Sequence, residues 1–358
     1  MKVAVLVSGG VDSSVALNLL KEEGHDLTAF YLKIWLEDEM SYMGQCPWKE
    51  DLAYVRLICQ KLGLPLEVID MQKEYWDNVV SYTISEAKAG RTPNPDIFCN
   101  QQIKFGHFYD KIDDSFEKVA TGHYAQICEE RTPKNEEQNF LLMRAPDPIK
   151  DQTYFLAHLD QKQLSRAMFP IGKYTKKEVR QLAEKFDLPN KNRKDSQGIC
   201  FLGKIPFRDF IKHHLDKKPG DFINSETGEK IGEHDGYWFY TIGQRQGLGL
   251  SGGPWFVTSK DIEKNIIYLS QGYEPEEVYR DNFEVTNLHW ISKNFKEVDF
   301  NATVKIRHGA NINTCSVKFM NKKVIQVKLD EKVHGIAPGQ YAVFYDGDVC
   351  LGCGMITL

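Results

Sequence analysis

The sequence contains no long apolar run. None of its stretches approaches the roughly 18 consecutive apolar residues that a membrane-spanning helix needs. It opens directly on a short apolar run, so we expect neither a secretory signal nor a transit peptide. These absences predict a cytoplasmic protein without a membrane partner.

A disulfide framework is also missing. The eight cysteines of the 358 residues are scattered rather than regularly spaced, as in proteins of reducing compartments. Cys350 and Cys353 form a C-x-x-C pattern, but no second pair of cysteines or histidines accompanies them, so we expect neither zinc nor redox chemistry there. Packing is expected to explain four other cysteines: Cys46, Cys59, Cys128 and Cys315.

The chain has no general excess of positive charge. Its formal net charge is −5, which argues weakly against binding to nucleic acid through overall charge. Residues 173–194 nevertheless contain eight basic and only three acidic side chains. This segment predicts either a phosphate-binding face or a solvated helix surface, and charge alone does not decide between them.

The glycine-rich loop near the start lacks the lysine that a Walker motif places after its last glycine. The apolar run Val3–Val7 predicts a buried strand, and after Gly9 and Gly10 a helical pattern runs to Gly24. A strand, a glycine turn and a helix N-terminus leave backbone N–H groups free for an anion. Asp12 is unexpected there, because a carboxylate repels phosphate unless a cation lies between them.

Strand-like and helical segments alternate through the first half of the chain. Strands are predicted at residues 27–35, 66–69 and 118–121, and helices at 52–62, 75–89 and 100–112. A capping box at Thr175 predicts a further helix to about residue 186. This alternation predicts an α/β fold with a doubly wound parallel sheet, which binds ligands at the carboxyl ends of its strands.

From about residue 210 short alternating strands dominate the sequence, separated by Gly, Asp and Asn. They predict a small mixed β central domain followed by a C-terminal β-barrel, and residues 129–139 predict an exposed hairpin tip. The expected division is 1–205 with a basic helical segment at 161–194, then 206–272, then 273–358.

Two cysteines lie in polar, turn-rich contexts. Pro93 and Pro95 precede Cys99 and argue against a regular helix there, so Cys99 is expected near the N-terminus of the next helix, where a thiolate is favoured. Cys200 follows the basic segment. A free cysteine is more often an inert buried residue, but two in such contexts are candidate reactive groups.

Two other patterns are expected to carry no chemistry. Residues 247–252 fit the dinucleotide fingerprint, but Gly253 and Pro254 follow instead of a helix. His158 lies in an apolar-flanked helical stretch, which favours a structural role over a catalytic one.

The stretch from Ser8 to Ser13, SGGVDS, resembles the PP-loop of the N-type ATP pyrophosphatases, which cleave ATP between the α and β phosphates. Six further segments carry a closer resemblance: TPNPDIFCN, TGHYA, KDQTYFL, DSQGICFLG, YTIGQRQGLGL and PGQYAVFY. Together they resemble, from end to end, the tRNA-specific 2-thiouridylases, which place sulfur on the wobble uridine of certain tRNAs.

The resemblance implies a PP-loop fold of the adenine nucleotide alpha-hydrolase type and assigns roles to particular residues. Cys99 would be the nucleophile, Cys200 the persulfide carrier and Asp96 the general acid/base. The implied ATP-binding residues are Leu6, Val7, Ser8, Gly9, Gly10, Val11, Asp12, Ser13, Leu32 and Gly122. The implied tRNA contacts are Asn94, Pro95 and Asp96 at the target base, together with His123, Lys150, Asp151, Gln152, Arg307, His308 and Gln340.

The implied reaction begins with attack of the uridine 2-carbonyl oxygen on the α-phosphate of ATP, with magnesium on the phosphates and Asp12 helping to position it. Sulfur from Cys200 then replaces the adenylated oxygen. Either Cys99 forms a disulfide with Cys200, or free hydrosulfide is released first, and the sequence leaves both routes open. The implied partners are the anticodon stem-loop of tRNA, with its target base flipped out, and a persulfide donor, either a sulfur relay protein or a cysteine desulfurase.

Two alternative functions remain open from the sequence. Another PP-loop ligase or amidotransferase would leave Cys99, Cys200 and the barrel unexplained, and the sequence offers no glutaminase domain. An RNA-binding module with a degenerate nucleotide site conflicts with the intact SGGVDS loop.

Overall fold

A five-stranded parallel sheet forms the N-terminal part of the protein. The computed structural model describes residues 1–34, 47–131, 138–195, 206–272, 279–293 and 295–358. The sheet order is β3-β2-β1-β4-β7, and every pairing is parallel. Its strands are β1 (Lys2–Leu6), β2 (Asp26–Lys33), β3 (Leu66–Asp70), β4 (Lys118–Ala120) and β7 (Ala167–Met168). The predicted parallel sheet is confirmed.

Helices cover this sheet as the apolar periodicity predicts. Those of the N-terminal part are α1 (Val11–Glu22), α2 (Pro47–Leu62), α3 (Gln72–Tyr75), α4 (Ser81–Lys88), α5 (Pro95–Phe98), α6 (Thr153–Leu156), α7 (Gln161–Arg166) and α8 (Lys176–Lys185). A π-helical turn, Trp76–Val80, joins α3 to α4. Thr175 caps α8 reciprocally with Glu178, which confirms the capping box predicted from the sequence.

The segment around Cys99 differs from its sequence-based prediction. Helix α5 begins at Pro95, continues without a break into a π-helical turn at Cys99–Lys104, and is followed by a 3₁₀ turn at His107–Lys111. Pro95 does not prevent this helix, because the first turn has no N–H partner to lose. Cys99 is therefore the fifth helical residue: it lies near a helix N-terminus as expected, but the helix begins at Pro95, before Cys99.

A hairpin of the N-terminal part joins the C-terminal sheet. Strand β5 (Ala125–Arg131) pairs with β6 (Gln138–Arg144) along its full length, as the hairpin prediction requires, while the tip itself lies outside the described residues. Strand β6 then pairs with the last strand of the chain, β17 (Val349–Thr357). No pattern in the sequence indicated this second pairing.

The central part contains an α-helix, a short 3₁₀-helix at Tyr237–Phe239 and a four-stranded mixed sheet. Helix α9 (Phe207–His214) was not predicted, since strands were expected from about residue 210 onward. It buries Phe210 and Ile211 completely against this sheet. The sheet order is β10-β11-β8-β9, formed by β8 (Gly220–Asn224), β9 (Lys230–His234), β10 (Trp255–Asp261) and β11 (Ile266–Gln271).

The C-terminal part is a closed six-stranded barrel, which confirms the predicted architecture. Its order is β12-β15-β14-β13-β16-β17, and pairing of β12 with β17 closes it. Besides β17, the strands are β12 (Tyr279–Trp290), β13 (Phe300–Lys305), β14 (Asn313–Asn321), β15 (Val324–His334) and β16 (Tyr341–Asp346). Alternate side chains, such as Val285, Val327 and Phe344, fill the interior.

Candidate active site

The SGGVDS loop lies between β1 and α1, at the carboxyl edge of the parallel sheet. Gly9 has a φ of +76°, and a Cβ there would lie 2.6 Å from the backbone oxygen of Asp51. Ser13 Oγ accepts a hydrogen bond from the Ser8 N–H at 3.2 Å and donates to the Gly10 carbonyl at 3.2 Å. These bonds curl the loop around the start of α1, where free N–H groups favour an anion.

Asp12 has the cationic partner that its position beside a phosphate site requires. Lys176 Nζ, from the first turn of α8, lies 2.8 Å and 3.0 Å from the two carboxylate oxygens. The hydroxyl of Tyr124 also donates to Asp12, at 2.9 Å. Burial, followed by the charge of Asp12, raises the pKa of Tyr124, so Tyr124 remains a neutral donor.

The other predicted ATP-binding residues lie beside this loop. Leu32 is near the carboxyl end of β2, and Gly122 follows β4. A Cβ on Gly122 would lie 2.6 Å from the backbone nitrogen of Ser13, so only glycine lets the two loops approach this closely. Leu6, Val7 and Val11 have buried side chains. Their side chains therefore belong to the core, and only their backbone is available to a nucleotide.

A second carboxylate, that of Asp195, forms ion pairs with three basic side chains next to the loop. Lys150, Lys176 and Arg180 approach it at 2.7 Å, 2.8 Å and 2.6 Å. Burial acts to raise its pKa, but the hydrogen bonds from Lys150 and Lys176 prevail and lower the pKa of Asp195 to about 2. Lys176 is thus shared between Asp12 and Asp195.

The basic segment at residues 173–194 is largely paired with the protein's own acids. Lys185 lies 3.4 Å from Glu22, Lys191 lies 3.1 Å from Glu184, and Arg193 pairs with Asp51. Lys173, Lys177 and Lys194 are exposed. The sequence left open a phosphate-binding face or a solvated helix surface, and the structure adds that five of the eight basic side chains, Lys176, Arg180, Lys185, Lys191 and Arg193, pair with acidic residues of the protein.

The segment that leads to Cys99 is held by the barrel. Gln340 Nε2 donates to the carbonyls of Thr92 and Pro93 at 3.3 Å and 3.1 Å. The side chain of Asn94 is buried and donates to the hydroxyl of Tyr154 at 3.2 Å. In this structure Gln340 therefore contacts the Asn94 segment, and Asn94 points into the protein.

Cys99 is almost completely buried. Its residue exposure is 1%, and it packs in an apolar cluster with Val79, Ile103 and Phe210. Asp96 lies three residues earlier, one helical turn away in α5. Cys200 lies outside the described residues, so the structure does not place it relative to Cys99.

Asp151, an expected tRNA contact, is enclosed by other side chains. It is fully buried, and its carboxylate lies 2.7 Å from Lys305 Nζ, which is equally buried. Thr153 Oγ1 also donates to it, at 2.9 Å. The Asp151 carboxylate joins β13 to the start of α6 and is not exposed in this structure, so a tRNA contact at Asp151 stays a prediction.

The other predicted tRNA residues differ in accessibility. Arg307 is exposed in the turn after β13, and the His308 ring stacks on Phe155 with ring centroids 4.6 Å apart. Burial, then the charge of Lys305, lowers the pKa of His308. Lys150 is half-buried beside Asp195.

His123 and Gln152 have intramolecular partners. His123 Nδ1 lies 2.7 Å from the hydroxyl of Thr121, and its ring packs on Phe169. Burial holds the pKa of His123 well below its usual range, so this side chain is neutral and offers RNA no charge. Gln152 accepts a hydrogen bond from the backbone N–H of Tyr124 at 2.9 Å.

The patterns set aside in the sequence show no site-like geometry. Cys350 and Cys353 are buried in β17, where burial raises the pKa of both thiols. Within the described ranges no three or more His, Cys, Asp or Glu side chains cluster as a set of metal ligands. Residues 247–252 lead into β10 and not into a helix. His158 stacks on His289 with ring centroids 4.6 Å apart, as a structural residue would.

Sequence reasoning missed several residues that complete the site. Lys176, Tyr124, Asn190 and Asp195 all contact the loop or its partners, yet they lie far from it along the chain. The one signal available was Asp12 itself, which required an unidentified cation.

None of the helices in the part of the chain that the structure describes is long and apolar enough to cross a membrane.

Comparison with known proteins covers the whole chain. Family models described as "tRNA methyl transferase HUP domain", "tRNA methyl transferase PRC-barrel domain" and "Aminomethyltransferase beta-barrel domain" match residues 1–204, 208–271 and 280–356. The chain is 49% identical over 361 residues to the tRNA-specific 2-thiouridylase MnmA of Parabacteroides distasonis, covering 99% of both chains. It is 48% identical to that of Porphyromonas gingivalis, covering 100% of this chain and 99% of the relative. It is also 48% identical to MnmA 1 of Bacteroides thetaiotaomicron, covering 100% of both. The chain belongs to the family of tRNA-specific 2-thiouridylases.

Proposed function

We propose that this protein is an ATP-dependent tRNA-uridine 2-sulfurtransferase. It adenylates the C2 oxygen of the wobble uridine and then replaces that oxygen by sulfur, giving 2-thiouridine, AMP and pyrophosphate. The observation that carries the proposal is the likeness of the entire chain, at nearly half identity, to 2-thiouridylases. The geometry of the SGGVDS loop supports the ATP half of the reaction.

ATP would bind with its phosphates over the loop and its adenosine near Leu32 and Gly122. The N–H groups at the start of α1 and the hydroxyl of Ser8 are suitable donors to phosphate oxygens, and the Ser13 hydroxyl would join them by turning away from the Gly10 carbonyl. The uridine oxygen bonds to the α-phosphorus while the bond to the β-phosphate breaks, and pyrophosphate carries away the electron pair. Lys176 would offset the charge of Asp12 during this step.

Magnesium fits the donor set of this site. Mg²⁺ usually binds one or two carboxylates together with substrate phosphates and water, and Asp12 supplies one carboxylate beside the loop. The ion would supply charge neutralisation on the triphosphate. Asp12 would hold it, after exchanging at least part of its present contact with Lys176.

Sulfur delivery is assigned to Cys200 and Cys99. The terminal sulfur of a Cys200 persulfide attacks C2 of the adenylated uridine, and AMP leaves with the oxygen. Attack of the Cys99 thiolate on the inner sulfur breaks the persulfide bond and leaves a Cys99–Cys200 disulfide, which a thiol must reduce before the next cycle. In the alternative order Cys99 attacks first and hydrosulfide is the nucleophile at C2.

Asp96 would act as the proton carrier for these steps, because one helical turn separates it from Cys99. Cys99 is 1% exposed, so the apolar cluster around it has to open when the flipped base arrives. The cluster would exclude water from the intermediate once the base is bound.

Recognition of tRNA is proposed to use the anticodon stem-loop. Asn94, Pro95 and Asp96 would contact the target base, and Lys150 and Arg307 would contact phosphates. Four further side chains would contact tRNA through neutral or polar groups: His123, Gln152, His308 and Gln340. A persulfide donor protein, a sulfur relay protein or a cysteine desulfurase, would load Cys200 in the cytoplasm. We propose domain boundaries after residues 205 and 272.

The family models carry the words methyl transferase, and methylation is therefore the competing function. Methyl transfer from a sulfonium donor needs neither an ATP-cleaving loop nor a persulfide. The SGGVDS loop and the Asp12–Lys176 pair would then have no role. The reaction product separates the two functions, because exchange of oxygen for sulfur and addition of a methyl group give nucleosides of different mass.

The test combines purified protein with unmodified tRNA, ATP, magnesium and a persulfide donor, followed by mass spectrometry of the digested nucleosides. We expect 2-thiouridine, formed only with ATP present. Asp12→Asn should abolish product, whereas Asp26→Asn, which neutralises an aspartate at the opposite end of β2 from the site, should not. Absence of both 2-thiouridine and adenylated tRNA, or a methylated product, would overturn the proposal.

A further inference from the structure

The short stretch Asn190–Asp195, here called the anchor segment, is attached to the ATP loop at three residues. Asn190 Nδ2 donates to the Gly9 carbonyl at 2.8 Å and to Ser14 Oγ at 3.0 Å. Arg193 donates to the same Gly9 carbonyl at 3.1 Å. Asp195 reaches the loop through Lys176, which bridges it to Asp12.

The hydrogen bonds of Asn190 are shielded from solvent, whereas the ion pairs of Asp195 are partly exposed. Asn190 is 1% exposed, and the Lys176 side chain is 16% exposed. The Asp195 carboxylate has three cationic neighbours, and its low pKa keeps it ionised under physiological conditions. Buried hydrogen bonds resist competition from water, and salt screens partly buried ion pairs less than fully exposed ones.

The anchor segment fixes where the following chain can go. Cys200 is five residues beyond Asp195, and a fully extended chain of five residues spans at most about 18 Å. Without the anchor, the nearest core residue upstream is Leu188, twelve residues from Cys200, with a reach of about 40 Å. Attachment at Asp195 therefore shortens the tether between the ATP loop and Cys200 from twelve residues to five.

We infer that Lys176 and Asp195 are positioning residues, which hold the start of the Cys200-bearing stretch against the ATP loop. The inference rests on the proposed function, since it gives Cys200 the task of delivering sulfur to an adenylated base. Lys176 contacts both carboxylates, so one ammonium group serves the adenylation loop and the sulfur carrier together. Adenylation and sulfur transfer then occur within one site.

The two residues have different expected effects on the two half-reactions. Asp195→Asn leaves Lys176 on Asp12, so the adenylation rate should stay within about twofold of wild type. Asp195 also holds Arg180, whose guanidinium donates to two carbonyls of the anchor segment, so the loss of this carboxylate loosens the whole segment. Sulfur transfer should fall by between about 1.7-fold, where Arg193 still holds the segment and the tether lengthens from five residues to seven, and about fourfold, where the whole segment detaches, because effective concentration decreases with roughly the 3/2 power of tether length.

Lys176→Met removes both contacts, with Asp12 and with Asp195, and both half-reactions should slow. A purely structural role for these residues would not separate the two rates in one variant and lower them together in the other. The ratio of the adenylation rate to the sulfur-transfer rate is therefore the quantity that identifies a positioning role.

The experiment uses the full-length protein with Cys200 loaded as the persulfide, in single-turnover reactions with unmodified tRNA and Mg-ATP. Adenylated tRNA and 2-thiouridine are followed on the same samples. The matched control is Asp187→Asn, which removes an exposed carboxylate that pairs with Lys61 and Lys191 near the anchor segment. It should change neither rate.

Each outcome bears on the inference. Slow sulfur transfer with normal adenylation in Asp195→Asn supports it, and sulfur transfer at the wild-type rate overturns it. If Asp195→Asn fails to fold, Arg180→Met, which removes one of the three cations on Asp195 but no contact with Asp12, takes its place with the same expected result. A wild-type protein that forms neither adenylated nor thiolated tRNA defeats the proposed function, and this inference with it.

Discussion

Gly9 shows how one residue type can decide whether the nucleotide loop exists. Its φ of +76° lies in the left-handed region, and the space beside its Cα is taken by the backbone of Asp51. Its carbonyl also accepts hydrogen bonds from Asn190 and Arg193. A side chain at this position would therefore disturb the loop, helix α2 and the anchor segment together.

We expect Gly9→Ala to abolish measurable ATP binding and to lower the free energy of unfolding by about 2 kcal/mol, from left-handed strain and the contact with Asp51. Gly24→Ala is the matched control, because Gly24 has a φ of +78° and a Cβ there would meet no atom within 4 Å. It should cost about 1 kcal/mol and leave ATP affinity unchanged. Titration calorimetry and denaturant unfolding measure both quantities, and equal ATP affinities in the two variants would contradict the explanation.

At the scale of elements, the buried pair Lys305–Asp151 joins the barrel to the N-terminal part. Lys305 ends β13, and Asp151 lies two residues before α6. The same junction places His308 on Phe155 and leaves Arg307 exposed nearby. The pair thus holds together the junction at which the expected tRNA-binding side chains of Arg307 and His308 lie.

Lys305→Met should lower the free energy of unfolding by about 3 kcal/mol, because it leaves the buried carboxylate with the longer contact to Arg144 at 3.5 Å. The same change should raise the KM for tRNA more than the KM for ATP. The double variant Asp151→Asn/Lys305→Met should recover most of the lost stability.

The control variant Lys328→Met breaks an exposed ion pair between β15 and β12 and should lower the free energy of unfolding by less than about 1 kcal/mol. Denaturant unfolding measures these free energies, and similar decreases in Lys305→Met and Lys328→Met would argue against a special role for Lys305.

At the scale of the whole molecule, the sequence predicted those structural features that depend on residues close together along the chain. The parallel sheet, the SGGVDS loop and the Thr175 capping box are local patterns, and the structure contains all three. The Lys176–Asp12 pair joins residues 164 positions apart, and pairing of β6 with β17 joins two parts of the molecule that are distant in sequence. Long-range contacts of this kind leave no periodic trace in one sequence.

The prediction that no regular helix precedes Cys99 was wrong, because proline has opposite effects at different positions of a helix. Proline breaks a helix in its interior but favours the first turn, and Pro95 occupies the first position of α5. The chain around Cys99 is consequently helical and buried. Sequence alone could not choose between the two outcomes, because tertiary packing against Phe210 and its neighbours decides whether the helix forms.

The junction of the barrel with the N-terminal part also contains a half-buried histidine that should make stability depend on pH. His158 stacks on His289 of β12 and contacts Tyr341 of β16 and Phe98 of α5. Burial, then the neighbouring His289, lowers the pKa of His158 to about 4. The unfolded chain binds the proton near pH 6.5, so stability is complete above that pH and declines as the pH falls toward 4.

We expect His158 to contribute a loss of about 2 kcal/mol in the free energy of unfolding between pH 7 and pH 5. Denaturant unfolding at the two pH values, for wild type and His158→Phe, measures this contribution as the difference between their pH dependences. His213→Phe removes an exposed histidine and should preserve the wild-type dependence. Since protonation of His158 loosens contacts to both β12 and β16, the loss should coincide with a weaker attachment of the barrel to the helix that carries Cys99. An unchanged pH dependence in His158→Phe would show that this junction tolerates a charged imidazole.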